Sequence, residues 1–368
     1  YFSANKKYGS KDRKQISNLC YCYFRMGKTL SHPKGGILEN ALKPEGKILA
    51  SLFLCSDKSN EILEAIKPEW NKSTGLSIKE KLSLLNYSLS SVFPWGDELS
   101  VGIEHEKFCE SFFIQPDLFL RIRPGHAEPV LLKLNAAGVN YEFISPFSIR
   151  LPNSFKADKY FELDKEVVVQ DYSSQRVGEY MELVRRGPSD QSLKLWDCCA
   201  GSGGKSIMAY DHNPSIELIV SDVRKSILVN LEKRFKTAGI KQYQSFEADL
   251  SSSHLQIKHE SFHFVIADVP CSGSGTWGRT PEQLHYFDKN EIESYSLLQK
   301  RIVDNIVPHL DPGGHLLYIT CSVFKKENEE VVGYIKQKFD LQVKKMELLK
   351  GYEIKADTMF AALLQKPL

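Results

Sequence analysis

The chain has 368 residues, 42 % of them hydrophobic and 26 % charged. That balance belongs to a globular protein and excludes wholesale disorder, and the length allows roughly two or three domains. Lys and Arg number 48 against 46 Asp and Glu, a formal net charge of +2, which excludes a polybasic tail protein but leaves room for a local basic patch. No apolar run approaches the ~18 residues that a membrane helix needs. Neither a secretory nor a transit signal is recognisable at the N-terminus. The expectation is a soluble, cytoplasmic, monomeric protein with no membrane contact.

Residues 1–50 carry ten Lys or Arg against three Asp or Glu. Lys6, Lys7, Lys11, Arg13, Lys14, Arg25 and Lys28 are interleaved with Tyr1, Phe2 and Tyr8, a mixture that suits a polyanion such as RNA and equally a solvated helix face. Ser10 reads as an N-cap, with Ile16, Leu19, Cys20, Tyr23 and Phe24 following at helical spacing and Gly27 as the stop. Further helices are predicted at Lys43–Phe53, Glu61–Ile66 and Lys79–Leu89, so residues 1–100 read as a helical domain. Over 101–165 the texture changes to a small α+β module, with strands at Leu118–Arg123, Glu142–Ile144 and Ser148–Leu151 and a helix at Pro129–Ala137 ending on Gly138. From 166 to 368 apolar strands alternate with amphipathic helices, the signature of an α/β fold with a mostly parallel sheet covered on both faces.

Leu193–Cys198 reads as a buried strand running into Cys199-Ala200-Gly201-Ser202-Gly203-Gly204-Lys205 and then a helix from Ser206. Strand, glycine turn and helix form a nucleotide cradle, because glycines allow a sharp bend and the helix start offers free N–H groups. A P-loop would need Gly at position 199, where Cys stands, so an NTPase is the weaker reading. The next strand, Glu217–Ser221, ends at Asp222, 21 positions after Gly201, about where an acid that binds ribose hydroxyls belongs. A helix follows with Ile227, Leu228, Leu231 and Phe235 on one face and Gly239 as its stop. Strands near Tyr243–Ala248 and at Phe262–Ala267 end at Asp249 and Asp268. Acids at the C-terminal ends of successive strands converge on one crevice.

There are eight cysteines and no C-x-x-C pair, so zinc-ribbon and thioredoxin readings fall away and no metal is expected. Most read as small buried hydrophobes. Two differ: Cys271 leaves the strand that ends at Asp268, and Cys321 closes the strand His315–Ser322. Two thiols are thereby delivered to the sheet edge that carries the acids. Glu327-Asn328-Glu329-Glu330 then opens a helix, with its acids expected in the first turn, where the helix dipole favours them.

Val169-Gln170-Asp171-Tyr172-Ser173-Ser174-Gln175, the bend at 197–205, Asp268-Val269-Pro270-Cys271-Ser272-Gly273, Thr320-Cys321-Ser322 with Glu327-Asn328-Glu329, and Asp357–Ala362 occur in the order seen in the Sun/Fmu-type RNA cytosine-carbon-5 methyltransferases. The chain resembles that family over 166–368. Gly9–Arg13 and Gln115–Arg121 are similar to its NusB-like helical domain and its small RNA-binding module. Within the bend, Gly201 and Ser202 stand where the family has Ala-Pro.

The resemblance implies a Rossmann-like domain that uses S-adenosylmethionine to methylate a cytosine in RNA, with ribosomal RNA as first partner and transfer RNA as alternative. It assigns the nucleophile to Cys321, adding to carbon 6 of the base, and proton transfer and adduct release to Cys271. DNA cytosine methyltransferases use the cysteine after proline as nucleophile, so chemistry alone leaves the choice open. The implied cofactor site is Cys199, Ala200, Gly201, Ser202, Gly203, Gly204 and Lys205, with Asp222 on the ribose, Asp249 near the adenine and Asp268 at the border. Asp268, if protonated, would also reach ring nitrogen 3 of the base. A non-catalytic RNA-binding assembly factor on the same fold is the alternative of another class.

Overall fold

The computed structural model describes residues 3, 5–30, 44–184, 192–252 and 261–368. Tyr1, Phe2 and Lys43 lie outside the described residues. The chain forms two compact units. The first comprises 1–99, 103–115 and 276–289, the second 100–102, 116–275 and 290–368. Thr276–Lys289, expected along the sequence within 166–368, therefore clusters with the N-terminal helices.

Among the described residues of the first unit, α1 (Ser10–Arg25) and α2 (Pro44–Cys55) are the longest helices, and α3 (Ile78–Leu84) is a shorter one. Ser10 is the first helical residue rather than the cap: Asp12 accepts the Gly9 N–H at 3.1 Å, which satisfies a free donor at the helix start. At the far end Gly27 has φ +54, and a Cβ there would stand 2.3 Å from the Val92 carbonyl oxygen. Helix α3 begins at an Ser77/Glu80 capping box and is shorter than expected, because Asn86 turns the chain at φ +54. Arg25, grouped above with the RNA-facing cations, is buried and donates to the carbonyls of Phe112, Ile114 and Gly278 and to Gln115 Oε1. Its charge serves the fold of this unit. Lys6, Lys7, Lys11 and Lys14 are exposed.

The second unit holds two sheets. Strands β1 (Leu118–Ile122), β2 (Glu142–Ser145), β3 (Ser148–Leu151) and β4 (Val167–Val169) form a sheet of order β2-β3-β1-β4. Helix α4 (Ala127–Ala136) buries Val130 and Leu134 with Leu120, Ile122 and Ile149. The larger sheet comprises β5 (Lys194–Asp197), β6 (Glu217–Asp222), β7 (Gln244–Glu247), β8 (Phe262–Asp268), β9 (Leu310–Thr320), β10 (Gln342–Leu349) and β11 (Met359–Gln365), in the order β10-β11-β9-β8-β5-β6-β7. Its pairs from β9 to β7 are parallel, whereas the β9–β11 and β11–β10 pairs are antiparallel, so that β11 alone of these strands runs against the rest.

Alternation along the strands divides the core. Leu195, Leu218, Val220, Phe264, Ile266, Leu317 and Ile319 pack with Ile207 of α5 (Gly204–His212) and with Leu228, Leu231 and Phe235 of α6 (Lys225–Ala238). Their neighbours Trp196, Ile219, Val265, Ala267, Leu316 and Tyr318 pack with Ile302, Val303 and Ile306 of α7 (Asn290–Ile306) and with Val331, Val332 and Ile335 of α8 (Glu329–Phe339). A sheet covered on both faces needs apolar residues at odd and even positions alike. The fold is Rossmann-like, as expected. The chain leaves β5 toward β6 and β7, then returns to β8 on the other side of β5. That reversal opens a crevice at the C-terminal ends of β5 and β8.

Candidate active site

A cavity of about 840 Å³ occupies this crevice. Of the residues expected at the site, Cys199, Ala200, Gly201, Ser202, Gly204, Lys205, Asp222, Asp249, Asp268, Cys271 and Cys321 line it. Gly203 does not. It sits beneath the bend at φ +85, where a Cβ would stand 2.7 Å from Phe235 and 3.1 Å from Leu231, so its role is to let the bend lie against α6.

The bend is held from two sides. The Gly201 N–H donates to Asp222 Oδ2 at 3.0 Å, and Asp222 Oδ1 accepts from the Arg224 N–H at 2.9 Å. From α6, Arg234 donates to the Ser202 carbonyl and hydroxyl at 3.0 and 2.8 Å and pairs with Asp164. Gly201 has φ +53, and nothing lies within 4 Å of the place its Cβ would take. The space over the bend is thus open to a ligand. Asp249 is exposed, and its carboxyl is held below the usual range by hydrogen bonds from the Ser251 hydroxyl and N–H.

At the end of β8, Lys205 Nζ donates to Asp268 Oδ2. Burial works against the Lys205 charge, but the Asp268 carboxylate, with Asp197 and Cys321 adding, outweighs it and lifts the lysine above its ordinary value. Cys271 and Cys321, both half-buried, bring their sulfurs to 3.2 Å. The Cys271 thiol is pushed well up by its hydrogen bond with Cys321, then by desolvation and by the charges of Cys321 and Glu327.

Two residues escaped the sequence reading. Asp197, read only as the end of a strand, is 1 % exposed. Its Oδ2 accepts from Ser206 Oγ at 2.5 Å, and its Oδ1 has no hydrogen-bond partner among the described residues. Burial pushes its pKa up to about 7, the Ser206 hydrogen bond opposing and the Asp268 and Asp222 charges adding. A carboxyl with a folded pKa above its unfolded value of about 3.9 binds its proton preferentially in the folded state. Its contribution therefore falls as pH rises from about 4 to about 7, at up to ~1.4 kcal/mol per pH unit. Asp197→Asn removes that fall. The stability of the variant relative to the parent should grow between pH 4.5 and 7 and then level off, as measured by urea denaturation; a difference independent of pH would refute the assignment.

Glu327 is the second. It is expected in the first turn of a helix, but α8 starts at Glu329, and Glu327 lies before it, 0 % exposed. Burial raises its carboxyl above the usual range against hydrogen bonds from Ser272, Ser322 and Gln299. Nothing in local spacing distinguishes such an acid from one that complements a helix dipole.

Among the described residues no group of three or more His, Cys, Asp or Glu could hold a metal ion, and no helix is long and apolar enough to cross a membrane. Residues 187–364 match the family model described as 16S rRNA methyltransferase RsmB/F. Ribosomal RNA small subunit methyltransferase B of Xanthomonas campestris pv. campestris is 28 % identical over 255 residues, 66 % of this chain and 54 % of that protein. The chain thus spans about half the length of the curated relatives it matches. A methyltransferase homolog protein from Pyrococcus horikoshii has a crystal structure with a TM-score of 0.61 at 20 % identity, covering 78 % of this chain and 98 % of that one. A crystal structure of NSun6 from the same organism, with SFG, gives 0.59 at 15 %, over 72 % and 94 %. At these identities the two structures bear on the fold alone. The order of strands, the glycine bend and the paired thiols coincide with the segment that the family model covers, and over residues 187–364 the chain is similar to the RsmB/F methyltransferases.

Proposed function

We propose that the protein transfers a methyl group from S-adenosylmethionine to carbon 5 of a cytosine in RNA, 16S ribosomal RNA being the first candidate, through a covalent adduct with Cys321. The observation that carries this reading is the pair of thiols 3.2 Å apart in the cavity that the glycine bend and Asp222 also line. The open space over Gly201 and the acid beside it fit the cofactor: the 199–205 backbone would hold its amino-acid end, Asp222 its ribose and Asp249 the region of its adenine.

When bound, the cofactor supplies an electrophilic methyl group. The Cys321 thiolate adds to carbon 6 of the base, and the electrons of the 5,6 double bond move to carbon 5, which becomes nucleophilic. Once carbon 5 carries the methyl group, its proton must leave and the sulfur–carbon bond must break, which restores the double bond and the free thiolate. Cys271 is the residue proposed to serve that proton transfer. Lys205, kept charged by Asp268, is available to donate toward ring nitrogen 3, the role first given to a protonated Asp268. Extrusion of the base costs least from a loop or single strand.

Incubation of the purified protein with RNA and labelled cofactor, followed by methylation mapping, tests the reading. The expected product is 5-methylcytosine in 16S ribosomal RNA; no incorporation defeats the activity, and label confined to a transfer RNA defeats the ribosomal assignment. Asp222→Ala should weaken cofactor binding by about 10- to 100-fold in calorimetry, the worth of a charged hydrogen bond. An unchanged affinity would remove Asp222 from the cofactor site.

A further inference from the structure

The two thiols belong to different turns, and one carboxylate ties those turns together. Glu327 Oε2 accepts from the backbone N–H of Ser272, the residue after Cys271, at 2.8 Å, and from Gln299 Nε2 at 3.1 Å. Its Oε1 accepts from Ser322 Oγ, on the residue after Cys321, at 2.7 Å. Gln299 Nε2 also donates to the carbonyl of Pro270, the residue before Cys271, at 3.0 Å. Every one of these neighbours donates to Glu327, which is the surrounding of an ionised carboxylate. Around it, Ser274 Oγ accepts from the Val323 N–H at 2.9 Å, and Asn328 accepts from Thr320 Oγ1 and donates to the Ser322 carbonyl.

Charges around the sulfur pair are unevenly placed. Glu327 adds to the Cys321 hydrogen bond and the desolvation that raise Cys271, whereas on the other side Lys205 is paired with Asp268 and is raised chiefly by it, with Asp197 and Cys321 adding. The phenols of Tyr295 and Tyr318 feel the same group, both through Cys271 and Glu327.

We infer that Glu327 is a positioning residue that biases which thiol attacks: it clamps the two cysteine turns in register, and by holding the backbone N–H next to Cys271 it sets its carboxylate beside that cysteine, leaving Cys321 as the thiol free to attack. The inference deepens the reaction proposed above and takes its meaning from it. Adduct formation at Cys321 would consume that thiolate and with it the strongest influence holding the Cys271 proton, at the stage when proton transfer is required. The design answers the question that thiol chemistry alone leaves open, namely why the cysteine after proline is not the attacking one.

Initial rates of carbamidomethylation by iodoacetamide, resolved cysteine by cysteine by mass spectrometry between pH 6 and 9.5, test the inference on the intact chain without RNA or cofactor. In the parent protein Cys321 should react at least about tenfold faster than Cys271 at pH 7.5, one pKa unit being one factor of ten in thiolate. Glu327→Gln should raise the Cys271 rate about tenfold and move its midpoint to lower pH, while Glu327→Asp, which keeps the charge, should preserve the parental order. Parental Cys271 reacting first, or a Cys271 rate unchanged in a folded Glu327→Gln protein, overturns the inference. If Glu327→Gln loses its cooperative thermal transition, the parental order and the Glu327→Asp rates decide. Because no methyl transfer is involved, a failed methylation assay leaves this result standing, and a failed alkylation pattern leaves the methylation reading standing.

Discussion

Cys321→Ala should abolish methyl transfer, with a loss of at least about 10⁴-fold in kcat, the scale on which removal of a nucleophile acts when the uncatalysed route is poor. Cytosine carbon 5 has no path to sufficient nucleophilicity without addition at carbon 6, so the loss should not be recovered by raising the concentration of RNA or cofactor. Fold is not at stake. The side chain is half-buried at a cavity wall, and its replacement by a smaller group should leave the thermal transition within a few degrees of the parent. Cys271→Ala should behave differently. Addition and methylation can proceed, release cannot, and a covalent protein–RNA complex should accumulate as a slow-migrating band on denaturing gels. The double variant should show neither activity nor band. A Cys321→Ala protein with full activity would end the proposed mechanism, and a band formed by the double variant would show that the adduct uses another residue.

The largest stability effect is expected at Asp211, far from any of this chemistry. Arg121 on β1 and Arg123, one residue past its end, stand two apart along the chain and point to the same side. Both reach the carboxylate of Asp211 on α5: Arg121 Nη1 to Oδ2 at 2.6 Å, Arg123 Nη2 to Oδ1 at 2.7 Å. The three side chains are 6–9 % exposed. Arg123 Nη1 goes on to the carbonyls of Asp164 and Ala238, and Arg121 Nε to Gln170. Burial already pulls the Arg121 guanidinium down, with Asp211 the main influence opposing it. Asp211→Ala leaves two buried cations without their anion and should cost about 3–5 kcal/mol of unfolding free energy, measured by urea denaturation. The contact between Lys79 and Glu106 has the same length, 2.6 Å, but its partners are 56 % and 68 % exposed. Its removal should cost little, because solvent screens an exposed pair. Equal losses at the two sites would mean that burial is not what gives the Asp211 cluster its weight.

Much of the site could be read along the chain because its elements are local. A glycine bend after an apolar strand, an acid at the end of the next strand and a stop at Gly239 each depend on a few adjacent residues. Backbone conformation at such places is set by residue type: Gly201, Gly203 and Gly239 have φ of +53, +85 and +78, a region costly for other residues. Alternation and helical spacing likewise announced β5, β6, β8 and α6 before any contact was known. The edge strand β10 did not announce itself. It was not among the predicted elements, and its Lys344, Lys345 and Glu347 are the kind of charged residues on an unpaired edge that keep such a strand from pairing with another chain.

Tertiary contacts decided which charges leave water. Arg25 looked like its exposed lysine neighbours, Glu327 like the acids that follow it, and Asp197 like any strand end, since none of the three carries a local mark of its surroundings. Each is buried by residues at least several positions away in sequence: Arg25 by 112–115 and 278, Glu327 by 272, 299 and 322, Asp197 by 206. Desolvation depends on everything packed around a group, and for most groups that means distant parts of the chain. The order of residues therefore prescribed the scaffold and the chemistry brought to its edge, while folding assigned to each ionisable side chain either solvent or a partner, and with that its charge.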